Sequence, residues 1–147
     1  MDIRELMIGD WVFYKNEPIM VYGINDSNDD DRINYEDDGY GGCSYICADE
    51  VSPIPLSDEI LIKSGFVKNQ LIGENEYFDG KATKDFSYSI SIRHRHRMKD
   101  EFFIRVEQMD ESNIKRSNQR GFIGYILYVH ELQNILRSAR IEKEIIV

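Results

Sequence analysis

The hydrophobic pattern of the chain changes its period near Val129. Ile123, Tyr125 and Leu127 are apolar at alternate positions, which predicts a strand with one buried face. From residue 129 to residue 139 the strongly apolar side chains recur at helical spacing. The sequence therefore predicts a buried strand that continues directly into an amphipathic helix.

Two further alternations precede this segment. From residue 86 to residue 97 the even-numbered positions are mostly apolar, and the odd-numbered positions carry serine or arginine. Phe102, Ile104 and Val106 alternate in the same way after a polar turn. With a short strand expected at Glu76–Asp79, these segments predict an antiparallel sheet whose apolar face the C-terminal helix covers.

Residues 56–66 carry the signals of a short helix. Ser57 is a favourable N-cap, and two acidic residues follow it at the positive end of the helix dipole. Gly65 is placed to end the helix in the left-handed conformation, with Phe66 folding back onto it.

The N-terminal part reads as short strands. Residues 6–24 predict two strands joined by a turn at residues 15–18, and Gly9-Asp10 entering an aromatic strand resembles the opening of a small SH3-like barrel. Ile33 and Tyr35 alternate, which indicates a short edge strand.

Together these patterns predict an α+β fold. An N-terminal small SH3-like β-barrel is followed by a short helix and an antiparallel sheet covered by a C-terminal helix. We assign residues 1–55 to the barrel-like domain and residues 56–147 to the remainder, which reads α-β-β-β-α.

Composition narrows the class of protein. A chain of 147 residues fits one domain or two small ones, and 41% hydrophobic residues suffice for a core. No apolar run approaches the roughly 20 residues that span a bilayer, and no signal peptide is expected. Cys43 and Cys47 are too few for a disulfide framework, so we expect a cytoplasmic protein that is not bound to a membrane.

Charge separates the two halves of the chain. Residues 1–56 carry 13 acidic and 3 basic residues, whereas the remainder carries 14 and 15. The acidic half is also rich in tyrosine, a common anchor at protein interfaces. It predicts a protein-binding surface whose candidate residues are Asp29, Asp30, Asp31, Tyr35, Asp37, Asp38 and Tyr40.

A basic strand offers the alternative function, which is nucleic-acid binding. Arg93, Arg95 and Arg97 project to one strand face about 7 Å apart, close to the spacing of successive phosphates. The sequence favours a solvated face whose arginines pair with Glu107 and with acids of the N-terminal half, because the nearby polar loop lacks aromatics. The full candidate set is Arg93, Arg95, Arg97, Lys99, Arg105, Lys115 and Arg116.

Histidines and carboxylates offer weaker chemistry. His94 and His96 alternate on one strand face and could share zinc, but a hydrogen-bonded histidine at the edge of the core is the more common role. The acidic loop beginning at Asp26 lacks the glycine and glutamate of a calcium loop. His130 has no recognisable nucleophile partner. We therefore expect no metal, no cofactor and no enzyme activity.

Three segments of the chain stand out together: ELMIGDWVFY, IPLSDEILIKSGF and YVHELQNIL. They are similar to an RIGN/D-V opening, a PIPLTEEILLKNGF segment and a YVHQLQNLY helix start, with departures at Met7, Ser57, Glu131 and Ile135. In this order the segments resemble a family of uncharacterised proteins from Bacteroidetes bacteria and their phages or mobile elements. The resemblance spans most of the chain and implies a phage or mobile-element setting. The family has no established activity, so no functional residue follows from it.

Overall fold

The computed structural model describes residues 2–25, 31–37, 43–71, 73–82, 86–95, 101–110 and 120–147. These residues form an α+β fold that consists mostly of strands. The strands are β1 (Trp11–Tyr14), β2 (Glu17–Met20), β3 (Gly23–Asn25), β4 (Arg32–Asp37), β5 (Cys43–Cys47), β6 (Val51–Pro53), β7 (Val67–Leu71), β8 (Glu74–Ala82), β9 (Phe86–Arg95), β10 (Phe102–Asp110) and β11 (Arg120–Ile126). The α-helices are α1 (Asp58–Lys63) and α2 (Val129–Ser138).

The chain divides into two compact units. The first comprises Met1–Pro55 with Tyr128–Asn134, and the second comprises Leu56–Leu127 with Ile135–Val147. The domains expected from the sequence, residues 1–55 and 56–147, did not include this transfer of the start of α2 to the first unit.

Two three-stranded antiparallel sheets form the first unit. Their strand orders are β2-β1-β6 and β3-β4-β5, and no sheet in the described residues closes into a barrel, so the SH3-like barrel is not confirmed. The strand around Ile33 was expected at a sheet edge, but β4 is the central strand of its sheet. Ile33 is buried with Val12, Val21 and Val51 in one apolar cluster. Strong burial of this kind is typical of a central strand, which has a hydrogen-bonded strand on each side.

The start of α2 is joined to the N-terminal segment by one buried glutamine. The Trp11 N–H donates to Gln133 Oε1 over 3.1 Å, and Gln133 Nε2 donates to the Gly9 carbonyl over 3.1 Å. The Val129 N–H also donates to the Ile54 carbonyl over 2.9 Å. The Gln133 side chain thus satisfies one backbone donor and one backbone acceptor of the N-terminal segment, because an amide group can both donate and accept.

A five-stranded antiparallel sheet dominates the second unit, with the order β11-β10-β9-β8-β7. Tyr77, Ile92 and Ile104 oppose one another on β8, β9 and β10, and all three are fully buried. The alternation predicted for β9 and β10 is therefore confirmed. The prediction missed β7, because VKNQL lacks the apolar alternation of a strand, and it made β8 too short.

The predicted face of β11 is wrong. Ile123 and Tyr125 are 64% and 60% exposed, whereas Ile126 is 2% exposed. Ile126 opposes Phe102, which is buried, so the even-numbered positions of β11 share the inner face of the sheet. The pattern misled because β11 carries apolar residues on both faces. The helix after it is confirmed, and Leu132 is fully buried.

Helix α1 begins and ends as its sequence predicts. The Ser57 hydroxyl accepts a hydrogen bond from the Ile60 N–H, which caps the N-terminus. Gly65 adopts a φ of 79° after the last turn. The Gly65 N–H donates to the Ile62 carbonyl and the Phe66 N–H donates to the Leu61 carbonyl, which is the Schellman pattern.

The C-terminal tail docks within the second unit. Ile141 and Ile145 are buried, and the Ile146 N–H donates to the Ser64 hydroxyl over 2.9 Å. Lys143 Nζ lies 3.2 Å from Asp79 Oδ2. The apolar tail therefore packs against the core of its own unit. In the part of the chain that the structure describes, no helix has the length and apolar character needed to cross a membrane.

We predict that Gly65→Ala lowers the free energy of unfolding by about 1 kcal/mol, because a Cβ disfavours the left-handed conformation at this position. Gly65→Asn is the matched control and should cost less, since asparagine tolerates this conformation. Urea unfolding of both variants measures the difference. Equal stability of the alanine variant and the wild type would contradict the capping role.

Candidate functional site

The outer face of the five-stranded sheet brings arginines and aromatic rings together. Arg93 on β9 lies opposite Phe103 on β10, and Phe103 lies opposite Tyr125 on β11. One step along the strands, Arg105 lies opposite Ile123. Opposed residues of antiparallel neighbours project to the same face, so the register alone assembles this set.

A cleft of about 370 Å³ lies on this face. It is lined by Arg93, Arg95, Glu101, Phe103 and Tyr125. The Phe103 and Tyr125 ring centroids are 5.3 Å apart with the ring planes inclined at 65°, an edge-to-face pair. Tyr125 is 60% exposed, which leaves much of its ring accessible to a planar ligand.

Each arginine of this face has a carboxylate partner. Arg93 Nε donates to Glu76 Oε1 over 3.0 Å, Arg95 Nε lies 3.8 Å from Glu74 Oε2, and Arg105 pairs with Glu107. The Glu107 pair agrees with the expectation from the sequence. The other partners come from the neighbouring strand β8, not from acids of the N-terminal half. The arginine side chains stay about half exposed or more, so the Arg95 and Arg105 pairs are surface pairs of modest strength. The Glu76 side chain is only 8% exposed, so the Arg93 pair is half-buried.

The aromatic component of this site was missed from the sequence. The polar loop after β10 contains no aromatic residue, and the alternation along β11 predicts that Tyr125 is buried. The signal that identifies them is the cross-strand register, because Phe103 is odd-numbered like Arg93 and so shares its face. Of the seven basic candidates, Arg93, Arg95 and Arg105 lie together here, and Arg97, Lys99, Lys115 and Arg116 fall outside the described residues.

The acidic candidate surface is described only in part. Asp29, Asp30, Asp38 and Tyr40 lie outside the described residues, and only the backbone of Asp37 is described. Asp31 is exposed. Tyr35 packs against the apolar cluster of the first unit and contacts Tyr14 with ring centroids 5.6 Å apart. Tyr35 therefore serves the core and is only partly available to a ligand.

Two other tyrosines of the first unit reach its surface. Tyr22 and Tyr45 are each 54% exposed. Tyr45 lies opposite Asn34 on β4, and the Tyr22 N–H donates to the Asn34 carbonyl, so both tyrosines lie beside the same residue.

A partly buried polar cluster joins α1 to the inner face of the five-stranded sheet. His94 Nδ1 lies 2.7 Å from Asp58 Oδ1, and Asn75 Nδ2 donates to Asp58 Oδ2 over 2.8 Å. The His94 ring stacks on Phe102 with centroids 4.3 Å apart. His94 Nε2 is buried and has no hydrogen-bond partner among the described residues. No hydroxyl or thiol of the described chain is therefore within hydrogen-bonding reach of that nitrogen.

The surroundings of Asp58 favour its charged form. Burial acts to raise the pKa of this carboxyl, but Tyr77, His94 and Asn75 together outweigh burial, so the pKa lies below its usual 3.8. Burial, and then the Asp58 carboxylate, raise the pKa of the Tyr77 hydroxyl. The cluster therefore contains a stabilised carboxylate and a neutral phenol.

The remaining histidine and metal candidates add no assembled site. His130 is buried at the start of α2 and stacks on Tyr128 with ring centroids 5.8 Å apart. Its Nδ1 has no hydrogen-bond partner within the described ranges. His96 and Asp26 lie outside the described residues. Across the described part of the chain, no group of three or more His, Cys, Asp or Glu side chains is placed to hold a metal ion.

No protein-family model matches this chain, no match was found among curated proteins, and none was found among solved structures. The function must therefore be inferred from the geometry of the site.

We predict that Asp58→Asn lowers the free energy of unfolding at neutral pH by about 1–3 kcal/mol, because it removes the charged partner of a hydrogen-bonded histidine. Since the folded pKa of Asp58 is lowered, its contribution is present above the unfolded value of 3.8 and is lost as the pH falls through the folded pKa. The difference between variant and wild type should therefore shrink in acid, as urea titrations at several pH values would measure.

Glu59→Gln is the matched control for this change. Glu59 is the next residue of α1, its side chain is 78% exposed, and it pairs with Lys63 across one helical turn at 3.4 Å. Its loss should cost at most about 0.5 kcal/mol at neutral pH. Equal costs for the two substitutions would contradict the special role of Asp58.

Proposed function

We propose that the outer face of the five-stranded sheet binds single-stranded nucleic acid. The observation that supports this most directly is the cleft in which Arg93 and Arg95 adjoin the rings of Phe103 and Tyr125. Proteins that bind single strands combine such rings, which stack on bases, with cationic side chains that contact phosphates.

The rings supply the sequence-independent part of this binding. Tyr125 is exposed, Phe103 is partly exposed, and Phe78 on β8 is 39% exposed on the same face. Each base stacked on such a ring contributes about 1–3 kcal/mol. Because every base has a planar face, this contribution does not select a sequence.

The arginines supply the charge-dependent part. Arg93 and Arg95 lie two residues apart on β9, about 7 Å along an extended strand. Arg105 on β10 lies opposite Ser91, which is two residues from Arg93 on the other side. The bond from Arg93 to Glu76 uses Nε, so the outer nitrogens of the guanidinium face away from that bond. The acids of the same face and the formal net charge of −9 oppose a dense phosphate backbone. Weak binding of a flexible single strand fits this balance better than binding of a duplex.

The first test measures the affinity for a labelled single-stranded oligonucleotide of mixed sequence as a function of salt. If three arginines contact three phosphates, the logarithm of the affinity falls with the logarithm of salt with a slope of about −2. Replacing Arg93, Arg95 and Arg105 together by alanine should weaken binding and flatten this slope. Tyr125→Leu should weaken binding about tenfold and leave the slope unchanged, because it removes a ring but no charge.

Lys63→Ala is the matched control for the arginine variants. The Lys63 side chain is 50% exposed and the Arg93 side chain is 49% exposed, and each is ion-paired. Lys63, however, lies on α1 and outside the sheet. The control should bind like the wild type. Absence of wild-type binding at low salt, or an equal loss in the control, would contradict the proposal.

A second candidate function is protein binding by the acidic, tyrosine-rich first unit. The exposure of Tyr22 and Tyr45 favours it, since both tyrosines are available as interface anchors in the same unit as the exposed Asp31. A partner with a basic surface fits the excess of acidic residues in this part of the chain. For residues 1–55 an SH3-like arrangement, and for the whole protein a phage or mobile-element setting, are proposals that derive from the sequence resemblances alone.

The second candidate is tested with a lysine-rich peptide in a fluorescence-anisotropy titration. Tyr22→Ala combined with Tyr45→Ala should weaken the binding about tenfold, and so should neutralising Asp29, Asp30 and Asp31 to asparagine. Tyr125→Ala, which removes an equally exposed tyrosine from the other unit, should have no effect. Indistinguishable affinities for all four proteins would argue against this function.

A further inference from the structure

The outer edge of β11 lacks the residues that normally prevent an edge strand from pairing with another strand. β11 is hydrogen-bonded to β10 on one side, and no described strand pairs with its other side. Its sequence, RGFIGYI, carries one charge at its first residue and exposes Phe122, Ile123 and Tyr125. Protected edge strands instead carry lysine, proline or inward charges, because unpaired backbone groups attract another strand.

The opposite edge of the same sheet shows the contrast. β7 reads VKNQL, with a lysine and two amides in five residues, and Lys68 Nζ lies 5.8 Å from the centroid of the Tyr77 ring. A charged and polar edge of this kind resists pairing. The β7 edge is therefore protected against pairing with a further strand, whereas the β11 edge is not.

The order of large and small residues along β11 identifies the strand that fits. If a second copy runs antiparallel with Ile123 opposite Ile123, then Gly121 faces Tyr125 and Phe122 faces Gly124 of the other copy. Each aromatic side chain then lies opposite a residue with no side chain. A shift of two residues, which centres the pair on Gly124, would place glycine opposite glycine and Ile123 opposite Tyr125.

Both glycines of β11 have close neighbours within the chain. A Cβ at Gly121 would lie 2.8 Å from the Val106 carbonyl oxygen, and a Cβ at Gly124 would lie 2.8 Å from the Phe122 ring. The backbone therefore excludes a side chain at Gly121, whereas a side chain at Gly124 would require the Phe122 ring to move. With only one charge in its seven residues, the edge also opposes its own copy without strong repulsion.

We propose that β11 is a self-association edge, at which two copies of this chain pair antiparallel about Ile123 and extend their sheets into one. The chemistry of the partner is thus that of a second β11. This inference does not rest on the proposed function, because the pairing requires no nucleic acid, but the two share Tyr125. A strand pair of this length buries less than a standard interface, so the dimer is weak, with a Kd on the order of micromolar.

Sedimentation velocity over about two decades of concentration around that Kd measures the self-association. Ile123→Lys should raise the Kd at least about fivefold, since two like charges then face each other at the symmetry axis. Val67→Lys is the matched control, because Val67 is 69% exposed at the other edge of the same row and should leave the Kd unchanged. Unaltered circular dichroism shows that both variants fold.

A cysteine pair tests the register itself. In a background with Cys43→Ser and Cys47→Ser, Ile123→Cys should form an intermolecular disulfide under mild oxidation, since opposed residues have Cα atoms about 4.5–5.5 Å apart. Val67→Cys should not. A wild type that stays monomeric at every concentration, a dimer indifferent to Ile123→Lys, or equal cross-linking of both cysteine variants would overturn the proposal. A wild type that instead pairs only with an added extended peptide would overturn it as well.

Discussion

The register of β8, β9 and β10 is the constraint on which the second unit depends. It places Tyr77, Ile92 and Ile104 in one buried row and leaves the odd-numbered residues of β9 to the solvent. A slip by one residue would exchange the two faces and bury Arg93 and Phe103. The hydrophobic gain of the inner row therefore also fixes the arrangement of rings and arginines on the outer face.

Charge within this unit is arranged in local pairs. Arg93 and Arg95 meet carboxylates of the adjacent strand, and His94 between them turns to the inner face and meets Asp58 at the start of α1. Because successive side chains of β9 alternate between the two faces, the arginine pairs lie on the outer face and the His94–Asp58 pair lies on the inner face. The inner pair anchors the helix to the sheet. On the outer face the Arg95 and Arg105 guanidinium groups are exposed, whereas Arg93 is held by the buried carboxylate of Glu76.

The sequence predicts the elements of this protein better than it predicts their faces. Caps at Ser57 and Gly65 are local signals, and they located α1 correctly. The buried face of β11 was predicted wrongly, because Ile123 and Ile126 are both apolar and only the pairing with β10 decides which of them is buried. The candidate arginines were found from spacing alone. Tyr125 was missed as a member of that site, because membership depends on contacts between strands that are distant in sequence.

Amide chemical-shift mapping during titration with a single-stranded oligonucleotide tests most directly whether the outer face of the sheet is the functional surface. The account predicts that the largest changes fall on the odd-numbered residues Arg93, Arg95, Phe103 and Tyr125, with small changes in the first unit. Perturbations concentrated around Tyr22 in the first unit, or an absence of any saturable change, would contradict it.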